Sequence, residues 1–396
     1  MVIMSWFSLL SKRQRYTLLG TVVMMVVIVA LGLRATAAIE EPSAETFTTE
    51  MPIRQIAPEI GVTGRALARE LKLDLDVPKG KPLKTLGVSE EQLQHAVEHL
   101  LSHKDTTLKY FVYVALSLFA VVFLTELGRP DGSDVKERKS WYPRAPYLLI
   151  LLISVIVCGF LLGKSPNPME GFVKVLKSAV GLYPDPAIKM LAFLFFISLV
   201  VVGNKVICGW TCPLGALQEL IFSLPILRRV KRVKFRFGIT NTVRALLFLV
   251  VLLLLFGIVG GRKGFVVYHY MNAFDLFNLG FDPITIPITI VVVLVVALAV
   301  YRPFCHFICP FGLVSWLAEK LSVARVNVDQ EKCTKCGACV KACPSEAAKG
   351  RVERKKLPAD CFSCMRCLNV CPVDAIEYGV RKRGLAKNAD PAEASG

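Results

Sequence analysis

Eight cysteines near the C-terminus repeat one spacing twice. The first copy reads Cys333-x2-Cys336-x2-Cys339-x3-Cys343-Pro344, and the second reads Cys361-x2-Cys364-x2-Cys367-x3-Cys371-Pro372. Three thiolates in a tight loop can cap one face of an iron–sulfur cube, while the fourth, held by the turn before the proline, can ligate a second cube. Residues 333–372 are therefore predicted to bind two clusters.

This spacing is that of bacterial two-cluster ferredoxins, in which the fourth cysteine of each run ligates the other cluster. The first cluster is assigned to Cys333, Cys336, Cys339 and Cys371, and the second to Cys361, Cys364, Cys367 and Cys343. Zinc sites can contain C-x2-C pairs. They do not require three closely spaced cysteines with a distant fourth, and this pattern occurs twice here. We therefore predict two 4Fe-4S clusters in a small α+β domain.

The composition indicates a membrane protein. Of the 396 residues, 54% are hydrophobic and they come in long runs, and the mean hydropathy is +0.52. Six runs are long enough to span a bilayer as helices. These runs are about 17–33, 108–124, 147–162, 188–202, 244–259 and 284–300. The fold class predicted is an α-helical polytopic membrane protein with six transmembrane helices.

The charge of +17 is explained by basic residues beside the apolar runs, where lipid headgroups attract them and where they mark the cytoplasmic side. Nucleic-acid binding is therefore not expected. The most basic loop holds Arg228, Arg229, Lys231, Arg232, Lys234 and Arg236. Its position predicts both termini on the cytoplasmic side of the inner membrane. The first run is interpreted as an uncleaved anchor, although Ala35-Thr36-Ala37 resembles a signal-peptide cleavage site.

Two membrane hairpins are internal copies of each other. The apolar runs, an Asp-Pro at the end of each loop and a C-x3-C-P-x-G motif all recur at an offset of 97 residues. The motif cysteines are Cys208, Cys212, Cys305 and Cys309. Four thiols at one membrane face are the number that a third iron–sulfur cluster needs, but another metal, redox-active thiols or buried structural cysteines remain alternatives. Lys205 and Arg302, which precede the motifs, either offset thiolate charge or anchor the helix ends at the lipid surface.

Residues 34–107 are predicted to form a small helical domain outside the membrane. Ser89 and Gln92 form a capping box before a helix with Leu93, Val97, Leu100 and Leu101 on its apolar face. We expect this domain to be a docking surface, for example for a periplasmic cytochrome. Cys158, inside the third apolar run, is interpreted as a packing residue.

An aromatic loop after the fifth apolar run offers a candidate quinone site. Tyr268, His269 and Asp275 could bind a quinol and release its protons. The alternative is an interfacial aromatic belt.

The predicted divisions follow from these features. They are the N-terminus with the first anchor (1–33), the outer domain (34–107), the second span with its cytoplasmic loop (108–145), repeat 1 (146–241), repeat 2 (242–325), the ferredoxin domain (326–380) and a disordered tail (381–396).

The combination of two C-x3-C-P motifs with eight ferredoxin cysteines resembles the NapH/NosR/MauN-type membrane polyferredoxins over about residues 108–380. The resemblance implies quinol-linked electron transfer to or from a respiratory partner, but it does not imply which partner. Residues 63–66 do not match the threonine-centred flavin attachment motif of one branch, so flavin is not expected. Three roles remain open: an electron-transfer subunit that works with other redox subunits, a maturation factor that supplies electrons to a metalloenzyme, and a membrane anchor that docks a periplasmic cytochrome.

Overall fold

The computed structural model describes most of the chain. The described residues are 46–60, 62, 64–74, 77–102, 106–127, 145–163, 166–181, 186–224, 233–259, 267–279, 281, 284–355 and 357–380. The first predicted span and the tail after residue 380 lie outside them, as does most of the basic loop before residue 233.

The N-terminal helical domain (residues 46–102) contains helices α1 (Ile53–Glu59), α2 (Gly64–Glu70) and α3 (Glu90–Ser102) with a 3-10 turn, Leu83–Leu86. These elements share an apolar core of their own. The predicted capping box is confirmed: the backbone N–H of Ser89 donates to Gln92 Oε1, and that of Gln92 donates to Ser89 Oγ, both at 3.2 Å. Leu93 and Val97 face the core as expected.

Apolar helices fill the middle of the chain. They are α4 (Thr106–Leu127), α5 (Ala145–Ile153, continued as a π-helix over Ser154–Leu161), α6 (Pro168–Ala179), α7 (Pro186–Gly203), α8 (Pro213–Ser223), α9 (Phe237–Leu255), α10 (Thr285–Val296), α11 (Pro303–Phe307) and α12 (Pro310–Ala318). A short π-helix, Ile207–Thr211, joins α7 to α8.

Among the described residues, two helices are long and apolar enough to cross a membrane, over Leu108–Thr125 and Phe237–Leu255. Three further apolar helices occupy predicted spans but are shorter, over Tyr147–Leu161, Lys189–Gly203 and Thr285–Val296. The molecule is therefore mostly helical with two candidate spans, and the six-span arrangement stays a prediction.

One helix begins earlier than its sequence pattern suggests. The fifth apolar run was expected from about Arg244, but α9 begins at Phe237. Its first turns contain polar residues that bond locally: Thr240 Oγ1 donates to Phe237 O at 3.1 Å, and Arg244 Nη2 donates to Asn241 Oδ1 at 2.6 Å. These contacts let polar residues extend the helix beyond its apolar run, past the predicted boundary between the two repeats.

The connections within both hairpins are folded into the bundle. In repeat 1, α6 begins at the N-cap Asn167, whose side chain accepts from the backbone N–H of Glu170 at 2.9 Å, and α6 packs against α12. In repeat 2, the 3-10 helix Ala273–Asn278 is largely buried. The sequence predicted loops outside the membrane here, because both segments lie between apolar runs that were assigned to the membrane.

The C-terminal ferredoxin unit (residues 324–380) is α+β, as predicted. Strands β1 (Ala324–Val328) and β2 (Ile376–Val380) pair antiparallel, with Val326 opposite Tyr378. Between them lie helices α13 (Ala338–Ala342), α14 (Ala347–Val352) and α15 (Arg366–Asn369). The unit is attached directly to α7, because the N–H of Val323 donates to Val201 O at 2.8 Å and Tyr378 OH donates to Gly203 O at 2.9 Å.

Candidate iron–sulfur centres

The second predicted cluster set converges in the structure. Cys343, from the first cysteine run, lines one cavity together with Cys361, Cys364 and Cys367 from the second run, and Cys339 of the other predicted set also lines it. Burial raises the pKa of Cys367, and the thiols of Cys343, Cys364 and Cys361 raise it further. The crossed assignment therefore places these four sulfurs around one space.

The first predicted set lies nearer the surface. Burial raises the pKa of Cys339, and Cys333 and Cys371 raise it further, so a cysteine of the second run again approaches those of the first. Cys336 is exposed and Cys333 is half-buried. Their cluster occupancy stays a prediction.

Within the described residues, no group of three or more His, Cys, Asp or Glu side chains is placed to hold a single metal ion. The sulfurs of a tetrahedral zinc site with four cysteine ligands stand about 3.8 Å apart, because each zinc–sulfur bond is about 2.3 Å. A cube separates its cysteines more widely, since each sulfur binds a different iron atom.

The two C-x3-C-P motifs form matching turns. Cys212 and Cys309 are the N-cap residues of α8 and α12, and a proline occupies the first position of each helix. Proline suits this position because its missing N–H would have no intrahelical partner there. The backbone amides of Gly215 and Gly312 act to lower the pKa of Cys212 and Cys309, respectively, and the N–H of Gly312 donates to Cys309 O at 3.1 Å.

The glycine of each motif is required by close packing. A Cβ on Gly215 would lie 2.7 Å from Cys208 O, and a Cβ on Gly312 would lie 2.9 Å from Cys305 O. An arginine side chain also lies beside each glycine. The Cβ on Gly215 would lie 2.9 Å from Arg302 Nη1, and the Cβ on Gly312 would lie 2.8 Å from Arg244 Nη1. The C-x3-C-P-x-G pattern therefore encodes a turn that leaves no space for a side chain.

The basic residue before each motif crosses to the other repeat. Lys205 and Arg302 both have left-handed backbone, with φ of 62° and 47°. Lys205 Nζ donates to Gly312 O at 3.2 Å, whereas Arg302 donates to Cys208 O and, at 2.7 Å, to Gly209 O. Both side chains are fully buried, so the interpretation as lipid-surface anchors was wrong: their charges are directed into the protein.

Buried carboxylates complete a charge network that no sequence motif signalled. Asp360, the residue before Cys361, pairs with Lys205 and lies 3.0 Å from Arg244 Nη1. Nearby cations hold the pKa of Asp360 below its ordinary value although burial alone would raise it. The network thus joins the ferredoxin unit to both repeats.

A second carboxylate makes an equivalent connection. Glu219 Oε2 accepts from Arg302 Nε at 3.0 Å, and Glu219 Oε1 pairs with Arg366 of the ferredoxin unit. Burial alone would raise the pKa of Glu219, but Arg366 and Arg302 lower it below its ordinary value. Glu219 is therefore held as a carboxylate between the two parts of the molecule.

The four motif thiols lie within electrostatic reach of one another. Burial raises the pKa of Cys208 to about 12 and also raises the pKa of Cys212, Cys305 and Cys309, and Cys305 raises each of the other three further. Gln218 Nε2 lies 3.7 Å from Cys305 Sγ. Because metal ligation requires thiolates, a metal here would reverse this preference for the protonated form.

Of the candidate quinone residues, Tyr268 and Asp275 are buried, while the side chain of His269 lies outside the part of the chain that the structure describes. Tyr268 faces the C-x3-C-P cysteines closely enough for Cys309 and Arg244 to influence its pKa, which burial raises. Phe274 also contacts Phe304, with ring centroids 6.3 Å apart. The segment therefore packs against Phe304, the residue before Cys305, and both the quinone site and the aromatic belt stay predictions.

Comparison with known families assigns iron–sulfur domains to the same regions. A family described as "4Fe-4S binding domain" matches residues 187–234 and again 282–328, each copy covering one C-x3-C-P motif. Two other families with that description match residues 326–349 and 358–375, which cover the two ferredoxin runs. The chain therefore contains several 4Fe-4S binding domains.

Curated relatives match up to about half of the chain. An uncharacterized protein of Methanocaldococcus jannaschii is 25% identical over 50% of this chain and 71% of its own length. The regulatory protein NosR of Pseudomonas aeruginosa is 28% identical over 43% of this chain and 24% of its own. The methylamine utilization ferredoxin-type protein MauN of Methylorubrum extorquens is 26% identical over 44% and 59%.

The matched part spans less than two thirds of the NosR and MauN chains. No solved structure matches this chain. The relatives and the repeated 4Fe-4S domains agree with the resemblance carried by the cysteine motifs. Together, the 4Fe-4S domains and the relatives named NosR, MauN and NapH support the polyferredoxin-type family for this chain.

Proposed function

We propose that the protein is an integral membrane electron-transfer subunit that passes electrons between the quinone pool or a redox partner and an oxidoreductase complex. The observation that carries this proposal is the buried network of Asp360 and Glu219 with Lys205, Arg244 and Arg302. It fixes the ferredoxin unit against the four C-x3-C-P thiols, so that two cysteine sites are held side by side. Each 4Fe-4S cluster, when bound, accepts and donates one electron.

The charges around the C-x3-C-P cysteines fit an anionic cluster. Buried or nearly buried cations at the site are Lys205, Arg244, Arg302 and Arg366, and the carboxylates paired with them are Asp360 and Glu219. Burying a surplus of positive charge is unfavourable unless an anion balances it. A cluster ligated by four thiolates supplies such an anion, and this supports Cys208, Cys212, Cys305 and Cys309 as ligands of a third 4Fe-4S cluster.

The exposure of the two ferredoxin runs supports an order for the relay. The second run is packed against the membrane repeats, since Asn204 Nδ2 donates to Cys361 O at 3.3 Å and Trp210 Nε1 donates to Ser363 O at 3.0 Å. The first run contains the exposed Cys336. The C-x3-C-P site would then be the membrane end and the first run the end that meets other subunits.

The proposed topology places six helices in the cytoplasmic membrane with both termini in the cytoplasm. Support comes from the apolar helices over Leu108–Thr125 and Phe237–Leu255 and from shorter ones at the other predicted positions. The N-terminal helical domain would then lie outside, where a partner such as a periplasmic cytochrome could dock. Its separate apolar core suits an independent docking module.

A quinone site is proposed beside the C-x3-C-P cysteines, with Tyr268, His269 and Asp275 as its candidate residues. Tyr268 OH is buried and has no hydrogen-bond partner among the described residues, so a quinone oxygen could accept a hydrogen bond from it. This arrangement would bring the quinone close to the membrane end of the relay.

The test is anaerobic reduction of the purified protein in lipid nanodiscs by a short-chain quinol. The reaction is monitored by the loss of iron–sulfur absorbance. We expect quinol to bleach the wild-type protein or, if the potentials run the other way, quinone to re-oxidise the dithionite-reduced protein. Tyr268→Phe keeps the ring and should slow either reaction. If neither reaction occurs in the wild type with all clusters present, the quinone assignment fails.

A further inference from the structure

Phe362 occupies the contact between the second ferredoxin run and the C-x3-C-P turns. It follows Cys361 directly and is buried. Its ring packs against Tyr301 and His306, with centroid separations of 5.9 Å and 5.3 Å. His306 itself follows Cys305, so one aromatic contact joins residues adjacent to ligands predicted for two different clusters.

Two buried cations also approach this ring. Lys205 Nζ lies 5.3 Å and the Arg302 guanidinium carbon 5.1 Å from the centroid of Phe362. Cations at this distance are attracted by the ring face. Because Lys205 and Arg302 come from different repeats, Phe362 contacts both halves of the C-x3-C-P site.

The backbone of Phe362 is fixed as closely as its ring. A Cβ on Gly209, which lies between Cys208 and Cys212, would stand 2.0 Å from Phe362 O. Ser363 is held next to it, because Ser363 Oγ donates to Asn204 O at 2.8 Å. Gly209 is therefore needed for the loop to come this close to the first motif.

An apolar plug alone would not need this environment. Burying a phenylalanine stabilises a protein wherever it is packed, and a leucine could fill much of the same space. The ring follows Cys361 in the sequence and packs against His306, which follows Cys305. Its position can therefore affect electron transfer between the two centres, which an ordinary packing residue elsewhere would not do. Electron-transfer rates fall steeply as the gap between two centres widens or loses packed atoms.

We propose that Phe362 is a positioning residue for electron exchange between the Cys343–Cys361–Cys364–Cys367 centre and the C-x3-C-P centre. This inference rests on the proposed function, including a cluster at the C-x3-C-P site. In the step concerned, one electron leaves one centre and enters the other, so that the first is oxidised and the second reduced. No bond forms or breaks and no proton moves.

The experiment uses the full-length protein in nanodiscs, mixed with dithionite and freeze-quenched for EPR. Dithionite should reduce the first run directly, since Cys336 is exposed, and the C-x3-C-P centre, whose cysteines are buried or half-buried, through the protein. In the wild type and in Phe362→Tyr, which keeps the ring, all signals should appear together. In Phe362→Leu the signal of the buried centre should lag behind the others, with the iron content unchanged.

Gly209→Ala provides a second test. It leaves the ring of Phe362 intact but forces the backbone of Phe362 away from the first motif, and this variant should show the same lag. Gly379→Ala is the matched control, because its Cβ would meet nothing within 4 Å. Full iron content without a lag in both Phe362→Leu and Gly209→Ala would overturn the positioning role. A wild-type content of about eight rather than about twelve iron atoms, four for each cluster, would instead overturn the third cluster and this inference with it.

Discussion

Asp360 offers the sharpest test of how the ferredoxin unit is held. Lys205 and Arg244 are both fully buried and both pair with this carboxylate. Asp360→Asn keeps the shape of the side chain but leaves two buried cations without their counter-charge. Removing one partner of a buried ion pair typically destabilises a protein by about 3–5 kcal/mol, and we expect a loss of that size in the free energy of unfolding.

The assay is denaturant unfolding in detergent followed by tryptophan fluorescence. This signal reports the docking directly, because Trp210 donates to Ser363 O and Trp316 donates to Pro358 O, at 3.0 Å and 2.9 Å. Both indole N–H groups belong to the membrane repeats and both acceptors belong to the ferredoxin unit. Separation of the two parts should therefore change the emission.

Two further variants make the measurement specific. Lys84→Met breaks an exposed pair with Glu50 and should change the free energy of unfolding by less than about 1 kcal/mol. Lys205→Met combined with Asp360→Asn should lose less stability than the sum of the two single variants, because each single variant leaves one partner of the Lys205–Asp360 pair unpaired and the double variant removes both. If Asp360→Asn is no less stable than Lys84→Met, the buried network does not hold the unit in place.

Three other predictions concern separate parts of the molecule. Gly215→Ala should lower the iron content, since its Cβ would lie 2.7 Å from Cys208 O, whereas Gly238→Ala, whose Cβ would meet nothing within 4 Å, should not; equal iron in both would contradict the role given to the motif glycine. Ser89→Ala should destabilise the N-terminal helical domain by about 1 kcal/mol through loss of the cap, as measured by circular dichroism, and an unchanged melting profile would refute it. Cys158→Ala should keep the full iron content, and a loss of iron would show that this buried thiol is a ligand.

Local spacing made several features predictable. The crossed grouping of Cys343 with Cys361 follows from motif geometry, and the capping box at Ser89 follows from two residues three positions apart. Both features depend on the spacing of residues within a short motif, which can be read directly from a sequence. The pairing of the two C-x3-C-P motifs was likewise visible as an internal repeat.

Long-range contacts were not predictable in the same way. Asp360 and Glu219 are ordinary acidic residues in the sequence, and only the fold places them against Lys205 and Arg302. Those basic residues were open to two interpretations because a helix end beside a predicted membrane surface normally explains a lone cation. The folded connections, such as the segment around Tyr268, were missed because burial there comes from tertiary packing rather than from a periodic pattern.

Iron and acid-labile sulfide analysis of the purified wild type and of Cys208→Ala tests the central claim most directly. A third cluster at the C-x3-C-P site predicts about twelve iron atoms per chain in the wild type and about eight in the variant, because each 4Fe-4S cluster holds four. About eight iron atoms in both proteins would contradict the account.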